Sequence, residues 1–402
     1  EAAGGYELIG QRPDQRPHAP LPAPTYVYRM AAQEEDNVLK GFSLGRILLP
    51  VVIGIGTTLF LVWKASNKAG DQPIVWTSDT TGWMLLALLS LFVRDWMYML
   101  RIRHLTDNGL SWWRAFVVIM LWEFSSALAP GIIGGGFFFA IWILSREGID
   151  AGKSISVITF TSFLDGIFVV VMAPLVYFTV GREELFGSMD TSTDLTGLGA
   201  FVIFWLVFTI IVVYKLFVAY ALFINPHFVK RALVGIFSIN GLRRWRRSMV
   251  TTGDQLIVAA AELRKRGWDY WWPGIATTFL SWTARFSIVN CIIHAFHPGM
   301  GFSNDAEMFG KQVIMGIIVL LMPTPGGSGI AEYMFRNFLG MYITVGPDKL
   351  AFVWRLLSYY PYIAIGAFLL PRWVKRNVVD PLAHRKGAGI PDPDRPTTLP
   401  SE

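Results

Sequence analysis

The sequence predicts an all-α polytopic membrane protein, an inverted-topology repeat with two oppositely inserted re-entrant helical hairpins. Three observations predict it. Of 402 residues, 53% are hydrophobic, only 16% are charged and 16 are tryptophan, a balance that excludes an ordinary soluble domain. Apolar runs close to the ~20 residues needed to cross a hydrocarbon core of about 30 Å recur along the chain. Two such runs are broken by proline and glycine, at Pro130 and Gly131 followed by Gly134, Gly135 and Gly136, and again from Pro323 to Gly329. Irregular backbone facing lipid leaves N–H and C=O groups unpaired at a cost of several kcal/mol each, so both turns are expected to line a protein-walled cavity.

Residues 1–43 form a polar, proline-rich arm without the apolar core of a signal peptide. Met30 reads as a natural start, and residues 1–29 as an extension of another origin or a disordered segment. A transmembrane domain over 44–376 follows. Simple crossings fall at Ile47 to Trp63, Trp83 to Leu100, Ile155 to Val180, Leu198 to Phe223, Trp271 to Ala295 and Phe352 to Trp373. Basic residues crowd three loops: Arg101, Arg103, His104 and Arg114; the stretch from Lys230 to Arg266; and Arg372, Lys375 and Arg376. The positive-inside rule assigns these loops and both termini to the cytoplasm, and the acidic loops carrying Glu183, Glu184, Asp190 and Asp194, and Asp305 and Glu307, to the outside.

The composite segment Trp112 to Leu144 then enters and leaves on one side, with limbs of 17 and 13 residues that reach about 25 and 20 Å. Gln312 to Tyr342 does the same from the opposite side, with limbs of about 11 and 13 residues that are too short to cross alone. The order crossing, hairpin, crossing thus occurs in a first repeat, 81–180, and inverted in a second, 270–374, with a substrate site expected between the hairpin tips. A kink in each of two tilted crossing helices is the alternative. The basic linker 225–267 carries Leu242, Trp245, Met249 and Leu256 at near-helical spacing, which fits an amphipathic helix on the cytoplasmic lipid surface or a solvated linker helix. The tail 377–402, with Pro391, Pro393, Pro396 and Pro400, is expected to be disordered.

Ionisable residues at membrane depth are candidate functional groups, because a charge at the bilayer centre is costly. Glu123, Asp165 and Arg285 lie deepest, and Glu332 and Arg336 follow the second turn. The alternatives are a structural ion-pair network for the first three and an i, i+4 pair within one helix for Glu332 and Arg336. Arg94, Lys215 and Arg355 lie close enough to an interface to snorkel. The turns add backbone donors: Pro130, Gly131, Gly134 and Gly135 before one limb, and Pro325, Gly326, Gly327 and Gly329 before the other, are expected to aim unpaired N–H groups and a positive helix end at the cavity. A phosphate would bind there with Arg285 as counter-charge, while Glu123, Asp165 and Glu332 hold an amine of the same molecule. A lipid head group bearing both charges fits, as does a zwitterionic solute.

The run Pro323, Thr324, Pro325, Gly326, Gly327, Ser328, Gly329, Ile330, Ala331, Glu332 resembles the P-T/S-P-G-G-x-G-x-x-E signature of the lysylphosphatidylglycerol synthase transmembrane region, a flippase-like family. Pro130 and Gly131 with Gly134 and Gly135 resemble its earlier PG-type motif, and Arg94, Asp95 and Trp96 its R-W element with one residue inserted. The resemblance covers Leu44 to Arg376 and implies an inner-membrane flippase that moves a polar lipid between leaflets. Bifunctional members carry a cytosolic aminoacyl-transferase domain after the membrane part. Here only a short tail follows Arg376, so a stand-alone flippase without lipid synthesis is expected.

The expected function is a lipid flippase or scramblase-like transporter of a phosphate-bearing lipid in the bacterial cytoplasmic membrane. A secondary transporter of a small zwitterionic solute and a non-transporting scaffold for a lipid- or glycan-modifying enzyme are the alternatives. Enzyme activity is not expected, since no motif pairs a nucleophile with its base. Neither is a metal or cofactor, since the single cysteine, Cys291, and the six histidines show no ligand spacing. The expected partners are a membrane lipid, further copies of the chain and a lipid-modifying enzyme. Nucleic acid is excluded because the basic residues flank apolar segments.

Overall fold

A computed structural model of the chain describes residue 56 and residues 76–128, 136–187, 199–239, 243–297, 300–320, 324–327, 329–343 and 346–379. The arm over 1–43, the crossing at Ile47 to Trp63, Asp190, Asp194 and the tail from 380 onward lie outside the described residues. The chain divides into units Glu1–Leu49 and Pro50–Glu402, and everything described belongs to the second.

The helices are α1 (Ser78–Leu105), α2 (Trp112–Leu128), α3 (Phe137–Arg146), α4 (Ala151–Val180), α5 (Arg182–Phe186), α6 (Ala200–Phe223), α7 (Pro226–Ile236), α8 (Arg246–Leu263), α9 (Trp268–Phe296), α10 (Asp305–Val319), α11 (Ile330–Leu339), α12 (Pro347–Ser358) and α13 (Tyr360–Val374). Polar caps start several of them. Thr77 and Thr80 exchange backbone-to-hydroxyl bonds of 3.2 Å ahead of α1, and Asp150 accepts from the Gly152 amide at 2.9 Å ahead of α4. Among the described residues, five stretches are long and apolar enough to cross a membrane: α1, α4, α6, α9 and the run Pro347–Val378. This is an all-α polytopic membrane protein.

The centre of the bundle is α9, which packs most extensively on α1. Half of its most apolar window is buried, against 22% for α6, which is apolar all round and leaves its outer side free for lipid. Ile288 and Ile292 of α9, Ile314 and Ile318 of α10, and Phe335 and Phe338 of α11 form the main apolar core, in which Cys291 is also buried.

The helices that flank each Pro-Gly run pack against each other, α2 against α3 and α10 against α11. At the base of the first, Arg114 Nε near the start of α2 donates to Glu147 Oε2 just past α3, at 2.6 Å. At its tip the Gly136 amide donates to Ser126 Oγ near the end of α2, at 3.3 Å. A methyl group on Gly136 would overlap the Ser125 hydroxyl, so the limbs meet only because this residue is glycine. In the second hairpin Lys311 Nζ of α10 lies 2.8 Å from Met341 Sδ beyond α11, while Val319 at the other end of α10 faces Gly327. Here the first limb starts at Asp305 rather than Gln312, because Asp305 and Glu307 supply the acidic first turn that a helix start favours.

The two tips meet. The α2 helix packs against the turn 325–327, and Tyr359 joins the pair: its hydroxyl donates to the Ala127 carbonyl at 3.1 Å and its ring covers Gly326. Gly326 has φ +56°, a conformation that disfavours any residue with a Cβ. Tyr359 occupies a break in the last crossing, which begins at Pro347 rather than Phe352. Pro361 has no N–H for the helical ladder, and the backbone at Tyr359 departs to φ −131° and ψ −56°.

The linker differs from an isolated surface helix. It contains α7 and α8, and α8 buries Leu256, Ala259, Ala260 and Leu263 against α4, α6 and α7, so protein covers its apolar face. Arg243, Arg244, Arg246 and Arg247 stay exposed. The chain also remains ordered slightly past 376. Residues Lys375–Val379 form a π-helical turn, and Asn377 is buried.

That turn closes over Glu147, whose carboxylate is fully buried. Besides Arg114 it accepts from Trp373 Nε1 at 2.7 Å and Arg376 Nη2 at 3.0 Å, tying the base of the first hairpin to the last helix. Nearby, Asp107 in the loop after α1 accepts from Lys153 Nζ at 2.6 Å and from Arg266 at 2.8 and 3.0 Å. Burial pushes the Asp107 carboxyl up, but these bonds outweigh it and hold the group below the usual carboxylate range.

Removing a buried charge partner costs about 3–5 kcal/mol. Glu147→Ala is expected to lower stability by that order in detergent-monitored thermal unfolding, with Glu147→Gln intermediate. The contribution of Asp107 is complete above the unfolded carboxyl pKa of about 3.9 and is lost as pH falls through its lower folded value. Asp107→Asn should therefore flatten the acid limb of a stability-against-pH curve, leaving the slope above pH ~5 unchanged.

Candidate functional site: a charged cavity between the hairpin tips

A cavity of about 600 Å³ opens inside the bundle between α1, α2, α4, α6, α9, α10, α12 and the turn 324–327. This is the size range of sites for drug-sized ligands. Five basic side chains and two acidic ones line it, so its wall is cationic on balance.

One face of α1 contributes Arg94, Tyr98 and Arg101, spaced so that they share a side of the helix. Arg94 is only 1% exposed. Its Nη2 lies 2.7 Å from Glu123 Oε1 of α2, and its Nη1 lies 3.6 Å from Asp95 and donates to the Tyr362 hydroxyl. Tyr362 in turn donates to Asp95 at 2.9 Å. Arg101 Nη1 bonds Asp165 Oδ1 of α4 at 2.6 Å and Thr278 Oγ1 of α9 at 2.9 Å, and Trp282 Nε1 adds a 3.0 Å bond to Asp165. The Tyr98 ring lies between both guanidiniums, 5.1 Å from Arg94 and 5.0 Å from Arg101.

The second hairpin supplies a third pair. Arg355 Nε of α12 bonds Glu332 Oε1 at 2.8 Å, and Arg355 Nη1 bonds the Gly326 carbonyl at 3.0 Å. The other carboxylate oxygen, Glu332 Oε2, accepts the Gly329 amide at 2.6 Å and caps α11. This corrects the expectation of open donors at the helix starts: the Gly329 N–H is taken by Glu332, and the Gly136 N–H by Ser126.

Glu123, Asp165, Arg285, Gly326 and Gly327 line the cavity. Glu332 stands behind Arg355, and Gly329 serves as its capping partner. Pro325 belongs to the 3-10 turn at the tip. Arg336 is not brought to the site: it pairs with Asp348 Oδ1 at 3.3 Å rather than with Glu332. Pro130, Gly131, Gly134 and Gly135 lie outside the described residues. Arg94 and Arg355 do not snorkel, because carboxylates beside them satisfy them in place, and Lys215 turns inward to donate to the Ser162 carbonyl at 2.8 Å. Sequence reasoning missed Arg101, Tyr98, Tyr362 and Gln312. For the first two, the i, i+4, i+7 relation of Arg94, Tyr98 and Arg101 was the available signal. Among the described residues no three of His, Cys, Asp and Glu converge as a metal site.

The family model for the lysylphosphatidylglycerol synthase TM region matches residues 47–366, a span that includes every residue lining the cavity. The chain belongs to this family. It is also similar to a UPF0104 membrane protein of Archaeoglobus fulgidus, 22% identical over 338 residues that make up 80% of this chain and 94% of that protein. No solved structure matches the chain. For this member of the lysylphosphatidylglycerol synthase TM region family, the signature glutamate, Glu332, holds an arginine and caps a helix at once.

Glu332→Gln and Arg355→Gln each strand a buried charge and are expected to cost about 3–5 kcal/mol. The double variant should cost less than the sum by about 0.5–3 kcal/mol in a denaturation cycle, as expected for residues in direct contact.

Proposed function

We propose that this protein carries a lipid with a polar head group between the leaflets of the cytoplasmic membrane, as a flippase or scramblase-like transporter. One observation carries the reading: a charged cavity lies in a multi-pass bundle, beside the end of α2 and the turn 325–327. Limbs of 10 residues, α3 and α11, extend only about 15 Å, half of a hydrocarbon core of about 30 Å. Such hairpins are re-entrant, and with the basic loops in the cytoplasm they enter from opposite sides as an inverted repeat. The helices that bring Arg94 and Lys215 to the cavity expose Leu85, Leu89, Phe92, Val213 and Leu216 on their other faces. A head group inside and acyl chains outside therefore both find matching surfaces.

The membership supports the same reading, since the family is named for the membrane region of a phospholipid-modifying protein. Purified protein in liposomes should accelerate transbilayer movement of fluorescent lipid, followed with a membrane-impermeant quencher. Arg94→Gln, checked for folding by gel filtration, should slow it roughly tenfold, equivalent to 1.4 kcal/mol. No acceleration for any anionic, zwitterionic or glycosylated lipid would overturn the proposal.

A further inference from the structure

We infer that the cavity selects a phosphate ester of net negative charge, one without a compensating amine; this rests on the transport reading above. The argument starts from which charges are already committed. The carboxylates at the site already face arginines: Glu123 and Asp95 share Arg94, at 2.7 and 3.6 Å, Asp165 has Arg101 at 2.6 Å and Glu332 has Arg355 at 2.8 Å. An incoming amine would have to compete with these guanidiniums, each held by several bonds.

Two cations are not committed in this way. Arg285 is exposed on the cavity wall and lies against the Trp282 ring at 5.3 Å, with no carboxylate paired to it among the described residues. Lys215 reaches the cavity across Gly166 and donates to a backbone carbonyl, with Asp165 in its field but no carboxylate in direct contact with it among the described residues. A Cβ at 166 would overlap the Lys215 Cε, so the glycine forms a cradle that lets the ammonium in. The wall also holds unused donors: Arg355 Nη2 and Thr324 Oγ1 are buried with no partner among the described residues. An anionic oxygen brought to either would supply the missing acceptor, and a buried donor left unpaired is destabilising. Even with Asp95 and Glu332 counted behind the wall, the basic groups exceed the acidic ones by one.

The test compares acyl-labelled phosphatidylglycerol, phosphatidylcholine and lysyl-phosphatidylglycerol in liposomes holding the full chain, with uptake of soluble glycerol phosphate as a fourth arm. Phosphatidylglycerol should move at least tenfold faster than the other two lipids, and Arg285→Gln with Lys215→Gln should bring it down to the phosphatidylcholine rate. Gly166→Leu should reproduce the loss of Lys215 without touching a charge, and Arg285→Lys should retain most of the preference. The ranking in the unmutated protein decides the matter even if a variant misfolds. Equal or faster movement of phosphatidylcholine or the lysyl lipid overturns the inference while leaving lipid transport standing. Uptake of glycerol phosphate with no lipid movement upholds the anion selection and overturns the lipid reading, and movement of none of the four overturns both.

Discussion

A charge inside a low-dielectric bundle must be met by an opposite charge, and in this protein the partner almost always comes from another helix. Arg94 of α1 meets Glu123 of α2, Arg101 of α1 meets Asp165 of α4, and Arg355 of α12 meets Glu332 of α11. Because a guanidinium and a carboxylate pair well only within a narrow geometry, each contact fixes the register of two helices as well as their charge. The cavity is bounded by these contacts. Arg101 and Thr278 bring in the central helix α9, and the hydroxyl of Tyr362 brings in α13. A bundle held by apolar side chains alone would have less to stop its helices from sliding, since Leu and Ile contacts are nearly interchangeable along a helix.

The spans were legible in the sequence because a membrane crossing is a one-dimensional property: enough apolar residues in a row, bounded by polar ones. The breaks between paired helices were legible too, because proline and glycine interrupt apolar runs too long to be single core helices. What the sequence hid was the partner of each charge. Glu123 lies 29 residues from Arg94 and Asp165 lies 64 from Arg101, and nothing local ties either pair together. Arg101 was misread for a further reason. The hydropathy signal stops at Leu100, whereas the helix continues to Leu105 because Asp165 and Thr278 satisfy the arginine inside the bundle. The cap on α11 was in principle visible, since a glutamate three residues past the helix start is the second half of a capping box. It competes with any ligand for the same N–H groups, which is why a glycine-rich turn before a helix does not by itself make an anion site.

The two hairpins differ at their bases. The first rests on Glu147, which gathers Arg114, Trp373 and Arg376 around one fully buried carboxylate. In the second, Lys311 is the buried group, paired with Glu307 at 3.0 Å and lying against the Tyr342 ring at 5.1 Å. The sign of the buried charge is thus reversed between the two ends, and each base is closed by residues that follow the returning limb. At the other end, Tyr359 links the end of α2 to Gly326 from a helix break, where the backbone has already left the regular ladder.

Cys291, buried in the apolar core of α9, has a practical consequence for following these parts in motion. It is the single thiol in the chain and is shielded from aqueous reagents. Maleimide dyes or spin labels added to the folded protein would react with cysteines introduced at the hairpin tips, while the native thiol stays silent. Distances between the tips can then be measured in the otherwise unaltered protein, with no cysteine-free background to engineer first.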